Sequence, residues 1–353
     1  MKKFIAALAG ASAAFGLVAC GSVESSDNAE STGANNETVS ADEWKAPEGL
    51  FGSIDYYSAN PQGLTDALVE AFEEKTDVKV NVFADTTGKI TAKLKAEEAN
   101  PQADVVYLAS WSAASKQDKA GALEEYTPEG TDKITSSWVS KNGTFTGRDG
   151  SALALVTNTN VVDSVPQDWE DLADEKYKGQ VIMPDPRESG TAADLIAAMV
   201  DQWGEDKTWE LFDKLFDNGM IVQGANGPAL DQVTSGSRGI VMGGVDYSAY
   251  SAKAKGEPLE VVIPSSGTTV TPRPVMILKT TDNKDAAEAF VDFMFSDEAQ
   301  EISASKNMIP ANTDIAPKNG PKLEEIETLN EDLDGIASSS KDVKEKFAER
   351  YLK

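Results

Sequence analysis

Three strand–turn–helix units follow one another from Ser53 onward, and a chain with that grammar folds into a parallel sheet covered by helices. The first unit is a strand at Ser53 to Tyr57, the polar turn Ser58-Ala59-Asn60-Pro61, and a helix with Leu64, Leu68 and Phe72 four residues apart. Pro61 suits a first helical turn. In the second, Asp77 to Phe83 alternates as a strand. The turn Thr86-Thr87-Gly88 then opens a helix with Ile90, Leu94 and Ala99, stopped at Pro101. In the third, Ala103 to Leu108 reads as a buried strand, and Ala109-Ser110-Trp111-Ser112 feeds another helix.

The pattern returns further on. Leu153 to Val156 is a strand leaving the first group, followed by Thr157-Asn158-Thr159-Asn160. Residues 166–179 read as a short acidic helix with a turn, and Gln180 to Met183 as a strand. Ser189-Gly190-Thr191 precedes an amphipathic helix with Leu195, Ile196, Met199 and Val200. Trp209 to Phe216 is helical and Met220 to Val222 a strand, with a further helix starting at Pro228. Between 240 and 278 come a strand at Ile240 to Met242, two glycines, Asp246-Tyr247, and a helix-like run. A strand at Leu259 to Ile263, a Ser/Thr loop, Pro272-Arg273-Pro274 and the apolar run Val275 to Leu278 complete that stretch. Ala286 to Phe295 is a helix, and 321–353 reads as two peripheral charged helices. The expected organisation is two α/β lobes: 49–156 plus 272–353, and 157–271. Crossings between them are expected near Thr157–Asn158 and Thr269–Pro272.

Composition removes whole classes of chemistry. None of the 353 residues is histidine, so there is no Ser-His-Asp triad, histidine base or histidine metal site. The single cysteine, Cys20, excludes an intramolecular disulfide. No Gly-x-Ser-x-Gly elbow is present. The pairs Glu73-Glu74, Glu97-Glu98 and Glu124-Glu125 read as solvated helix faces rather than acid/base machinery. A formal charge of −27 argues against nucleic acid or an anionic membrane surface as partner, and suits a solvated acidic surface.

Cys20 has a different role. Lys2 and Lys3, an apolar run from Phe4 to Ala19, and Leu17-Val18-Ala19-Cys20 form the pattern of a lipoprotein signal, residues 1–19, with Cys20 as the lipidated residue. Residues 20–48, rich in Ser, Asn, Glu and Gly, read as a flexible tether. The expected location is outside the cytoplasm, anchored to the cell membrane by lipid on a periplasmic or extracellular face.

Five strand ends present small hydroxyl or amide side chains just before a helix: Ser58 and Asn60; Thr86 and Thr87; Ser110 and Ser112; Ser189, Gly190 and Thr191; and Asn226. Helix N-termini carry unpaired N–H groups and the positive end of the dipole, so each is a candidate anion site. Each alone is equally a helix cap. Ligands of open α/β sheets sit at the carboxyl ends of strands, where these residues would converge. Arg273, between its prolines, could pair with phosphate or carboxylate. Asp246 and Tyr247 could read hydroxyls or an ammonium, and Trp111 could form an apolar wall or belong to the core.

The motifs NPQADVVYL, VIMPDPRESGTAADLI, GANGPALDQV, GVDYSAY and SGTTVTPRPVMILKTTDN, in this order over residues 50–315, resemble the bacterial ABC-importer solute-binding proteins. They are most similar to the group that includes ferric-iron, sugar-phosphate and phosphonate binders. The resemblance implies a type II periplasmic-binding-protein fold, with two α/β lobes and mixed doubly wound sheets closing on a solute. It also implies delivery to a membrane permease, without catalysis or cofactor, by a chain expected to be monomeric. Iron-binding members hold the metal with a tyrosine pair at the position of Asp246-Tyr247, aided by a histidine or carboxylate. Here the first tyrosine is replaced by Asp246. The hydroxyl-bearing ends and Arg273 therefore suit a phosphorylated organic anion better than ferric iron or a polyamine.

Overall fold

The computed structural model describes residues 43–329 and 332–352, so the signal, Cys20 and most of the tether lie outside the described residues. The three expected units appear as β1 (Phe51–Ser58), α1 (Gln62–Glu73), β2 (Asp77–Ala84), α2 (Thr87–Ala96), β3 (Val105–Tyr107) and α3 (Trp111–Lys119). β1 pairs in parallel with both β2 and β3. α2 ends at Ala96, short of the expected Ala99, and its C-cap Glu97 accepts the Tyr57 hydroxyl at 2.9 Å.

β4 (Thr146–Asn158) is far longer than its apolar half suggested, and all thirteen residues are buried. Its polar start is hidden because the Arg148 charge is matched from several sides. The Arg148 guanidinium donates to Asp149 at 2.8 Å and to the Met294 carbonyl at 3.0 Å, and also reaches Ser303 and the Ala299 carbonyl. Gly150 is required there, since a Cβ would lie 2.6 Å from the Trp138 ring.

The acidic stretch at 166–179 forms two 3₁₀ turns, Glu170–Ala173 and Glu175–Tyr177, rather than a helix. Its acids cap turns: Asp171 accepts the amides of Gln167 and Asp168, and Asp174 that of Lys176. The chain continues through β5 (Val181–Met183), α4 (Gly190–Trp203), α5 (Glu205–Asp217), β6 (Ile221–Val222) and α6 (Asn226–Thr234). Next come β7 (Ile240–Val245), α7 (Asp246–Ala254), β8 (Leu259–Val262) and β9 (Val270–Ile277). The last elements are α8 (Lys284–Phe295), α9 (Asp297–Ser305), β10 (Ile309–Pro310) and α10 (Leu333–Tyr351).

The strands run in the order β2-β1-β3-β9-β4-β7-β5-β6, with β8 and β10 also paired to β4. β4 is shared between the lobes. It pairs with β9 from Thr146 to Ala152, then with β7 and β8 from Leu153 to Asn158. Its change of partner thus precedes the crossing expected at Thr157–Asn158. β9 carries Pro272-Arg273-Pro274 inside the sheet, so the stretch expected to cross between the lobes is itself a strand. The prolines are tolerated because β4 is irregular opposite them, between Gly147 and Asp149. Alternation along β1 and β4 sends Tyr56 and Tyr57, and Leu155 and Val156, into separate apolar clusters on the two faces of each lobe.

The end of the chain differs most from expectation. Instead of two peripheral helices there is one 3₁₀ turn, Leu323–Glu325, and the long α10. Phe347 of α10 is fully buried, its ring 5.1 Å from Phe212 of α5. Ile336 and Val343 are buried with it in the second lobe.

Candidate ligand site

Apart from Arg273, which lies within β9, the candidate residues stand where strands of both lobes hand over to helices. At the end of β1, the buried Ser58 hydroxyl bonds to Thr65 of α1 at 2.8 Å. Asn60 spans two strand ends, its side-chain amide donating to Ser58 Oγ at 3.4 Å and to the Tyr107 carbonyl at 3.1 Å. Its buried Oδ1 has no partner among the described residues. Thr87, first in α2, accepts the Ala109 amide at 3.2 Å and so ties the second strand end to the third. Ser110 caps α3 by accepting the Ala113 amide at 3.3 Å, with Ser112 Oγ at 3.1 Å.

Trp111 points away from these groups. It is 5% exposed, meets Phe145 edge-on at 4.7 Å, and donates its indole N–H to Asp334 of α10 at 3.0 Å.

In the second lobe the structure joins residues that sequence spacing left apart. Ser189 caps α4 by accepting the Ala192 amide at 3.2 Å, and it donates to Asn226 Oδ1, at the start of α6, at 2.8 Å. Asn226 Nδ2 donates in turn to Thr191 Oγ1 at 3.1 Å. The three side chains close a ring, with Ser189 and Thr191 oxygens 3.1 Å apart. Ser189 spends its one proton on Asn226, so Thr191 is the hydroxyl whose proton can turn outward. Gly190 between them is exposed, with open space where a side chain would stand. The first turn of α4 therefore offers one hydroxyl, backbone N–H groups and the positive end of a fourteen-residue helix.

Asp246 opens α7 at the end of β7. A register shift in β4 between Ala154 and Leu155 faces Gly243 and Gly244, and Gly243 takes φ +74°. This bulge re-aims the strand just ahead of Asp246. The Asp246 carboxyl is buried and accepts the Tyr247 amide at 2.7 Å. Burial pushes its pKa up to about 7, against backbone hydrogen bonds from Ala152 and Tyr247 and the charge of Arg273.

Arg273 is 5% exposed and lies 5.2 Å from the centre of the Tyr247 ring. Burial penalises its charge, but the Tyr247 ring and the Asp149 carboxylate offset this and it stays protonated. Its Nε has no partner among the described residues.

Sequence reasoning missed the groups behind Arg273. The Tyr56 and Tyr107 hydroxyls and Asp149 Oδ1 are buried without hydrogen-bond partners among the described residues. Burial raises both phenol pKa values above the ordinary tyrosine range. The available signal was a run of polar residues, Gly147-Arg148-Asp149-Gly150, leading into an apolar strand.

A groove of about 640 Å³ between the lobes runs from Pro61 and Leu64 of the first to Tyr247, Ser251 and Lys255 of the second. Of the candidate residues, Tyr247 alone lines it. Among the described residues, no group of three or more acidic or cysteine side chains is placed to hold a metal ion. The structure joins Ser189, Thr191 and Asn226 to one another and Arg273 to Tyr247, and it does not bring all the candidates to one cavity wall.

Comparison with known proteins gives the same outline. The sequence model of the bacterial extracellular solute-binding proteins matches residues 100–332. An uncharacterized protein of Haemophilus influenzae is 30% identical over 263 residues, covering 71% of this chain and 75% of its own length. The periplasmic binding protein AfuA from Actinobacillus pleuropneumoniae, solved with fructose-6-phosphate, superposes with a TM-score of 0.73. The two are 29% identical, over 84% of this chain and 98% of AfuA. Iron-bound HitA from Pseudomonas aeruginosa also gives 0.73, over 83% of this chain and 98% of HitA. At 22% identity that match speaks for the fold alone.

Proposed function

This chain belongs to the bacterial extracellular solute-binding proteins, the periplasmic receptors of ABC importers, and on that premise we propose that its solute is a small phosphorylated organic anion, a sugar phosphate or a phosphonate. The observation that carries this reading is the Ser189–Thr191–Asn226 ring at the start of α4, which leaves an outward hydroxyl beside unpaired helix amides. Charge-assisted hydrogen bonds from such a site favour phosphate oxygens. In this reading Asn60, Thr87, Ser110 and Ser112 are the first lobe's contribution, with Ser58 buried behind them against Thr65, and Arg273 supplies the cation. Asp246, with a pKa about 7, can donate to or accept from a solute hydroxyl or amine, and Tyr247 lies over Arg273. The likeness to AfuA, whose structure holds fructose-6-phosphate, supports the same class. A ferric ion would want several anionic ligands, and Asp246 with Tyr247 is a thin set.

A thermal-shift panel tests this. It contains glucose 6-phosphate, aminoethylphosphonate, inorganic phosphate, spermidine and ferric citrate. One phosphorylated organic compound should raise the melting temperature; at 100 times its Kd the stabilisation is about 2.7 kcal/mol. A rise with ferric citrate or spermidine alone would overturn the proposal.

We also propose that Cys20 carries the lipid anchor. Among the described residues no helix is long and apolar enough to cross a membrane. On expression in a bacterial host, the native chain should partition into the detergent phase of a Triton X-114 extraction, and Cys20→Ser should move it to the aqueous phase. Equal partitioning of the two rules the anchor out.

A further inference from the structure

α10 is held by the second lobe along most of its length. Phe347 and Val343 are buried there, the Arg350 guanidinium pairs with Asp213 of α5, and the Tyr351 hydroxyl donates to the same carboxylate at 2.8 Å. The segment ahead of it is pinned to the chain entering β9: Thr268 N–H donates to the Glu327 carbonyl at 3.0 Å, and Leu329 N–H to the Thr268 carbonyl at 2.9 Å. Yet the first turn of α10 belongs to the other lobe. Leu333 packs against both apolar clusters of the first lobe. Asp334 accepts the Trp111 indole N–H at 3.0 Å and pairs with Lys141 at 3.0 Å. The Trp111 hydrogen bond and the Lys141 charge hold the Asp334 carboxyl below its ordinary pKa, so it stays ionised. Midway, the half-buried Asp194 of α4 interacts with Lys116 of the first lobe and with Ser340 and Lys344 of α10.

A helix is stiff over this length, so α10 moves with the lobe that grips it. Any motion that opens the lobes on this side must break the Asp334 contacts. We propose that Asp334, carried by the second lobe and bound to Trp111 and Lys141 of the first, is a latch that sets how often the lobes separate in the absence of solute. Trp111 adjoins Ser110 in the candidate site, so the latch reports on the mouth of the cleft without touching the solute. A latch of this kind changes affinity through the fraction of molecules already competent to bind.

The test needs no solute, so its failure is separate from failure of the phosphorylated-anion reading. Cys20→Ser leaves the full chain without cysteine. Glu98→Cys and Asp217→Cys then place one spin label on each lobe for a pulsed distance measurement. Asp334→Ala should raise the ratio of separated to closed molecules about tenfold, the value of one hydrogen bond to a charged group. Lys141→Ala, a change at an exposed side chain, should shift it the same way by less. Arg350→Ala, which cuts a contact within the second lobe, should leave it unchanged. Unaltered distances in both Asp334→Ala and Lys141→Ala overturn the latch, as does an equal shift with Arg350→Ala.

Discussion

Replacing Ser189 with alanine and Thr191 with valine together should weaken binding of the phosphorylated compound about 100-fold or more, with the fold retained. Each hydrogen bond to a charged group contributes about 1.5–3 kcal/mol, and the pair removes both the outward hydroxyl and the ring that orients it. The single changes should differ. Thr191→Val removes a donor directly, whereas Ser189→Ala frees Asn226 Oδ1 and loosens the ring. Ser189→Ala also removes a helix cap, which costs about 1 kcal/mol of stability. Calorimetric titration well below the melting temperature separates that loss from the loss of binding. Unchanged affinity in the double variant would remove α4 from the site.

The second large effect is one of stability against pH. Burial raises the Asp246 carboxyl from its ordinary 3.8 to about 7, so the folded chain holds this proton more tightly than the unfolded chain does. The stabilisation from that proton is fully present below about pH 4 and is lost as pH rises through about 7. An asparagine amide accepts the same Tyr247 N–H and has no charge to desolvate. Between pH 4 and pH 8.5, the stability of Asp246→Asn should therefore gain on the native chain by on the order of 3–4 kcal/mol. Asp194, whose carboxyl burial raises to about 6, shifts both proteins alike and cancels from the difference. Urea unfolding of the solute-free proteins at the two pH values checks this. A difference independent of pH would mean that Asp246 is ionised in the folded state throughout.

The parallel β2-β1-β3 part of the first lobe was legible because strands such as Asp77–Ala84 alternate with period two and helices such as α1 place Leu64, Leu68 and Phe72 on one face; the antiparallel entry of β9 and β4 was not. The same logic failed wherever burial was achieved by polar partnership instead of apolar side chains. The start of β4 gave no strand signal because its Arg148–Asp149 pair is matched only by Ser303 and carbonyls some 150 residues away. That Pro272 and Pro274 lie within a strand was not legible, since nothing local shows that β4 is irregular opposite them. Each helix-start hydroxyl of the candidate site was visible as a residue type. The bonding of Ser189 to Asn226, 37 positions apart, was not. Trp111 shows the limit from the other side. Its position just inside a helix start left a solute wall and a core role equally open, and the choice is made by Phe145 and by Asp334 at the far end of the chain.

The sharing of β4 has a consequence for how the molecule comes into being. The second-lobe strands β5 to β8 and their β4 partner segment lie within residues 153–262, so they are all present once that stretch has crossed the membrane. β3 pairs on one side with β1 and on the other with β9, which begins only at Val270, and the buried Arg148 finds its partners in α8 and α9 later still. The earlier half of the chain thus waits for the later half. An export route that delivers this protein vectorially must keep β1, β2 and β3 from pairing with neighbouring chains until the last third has arrived.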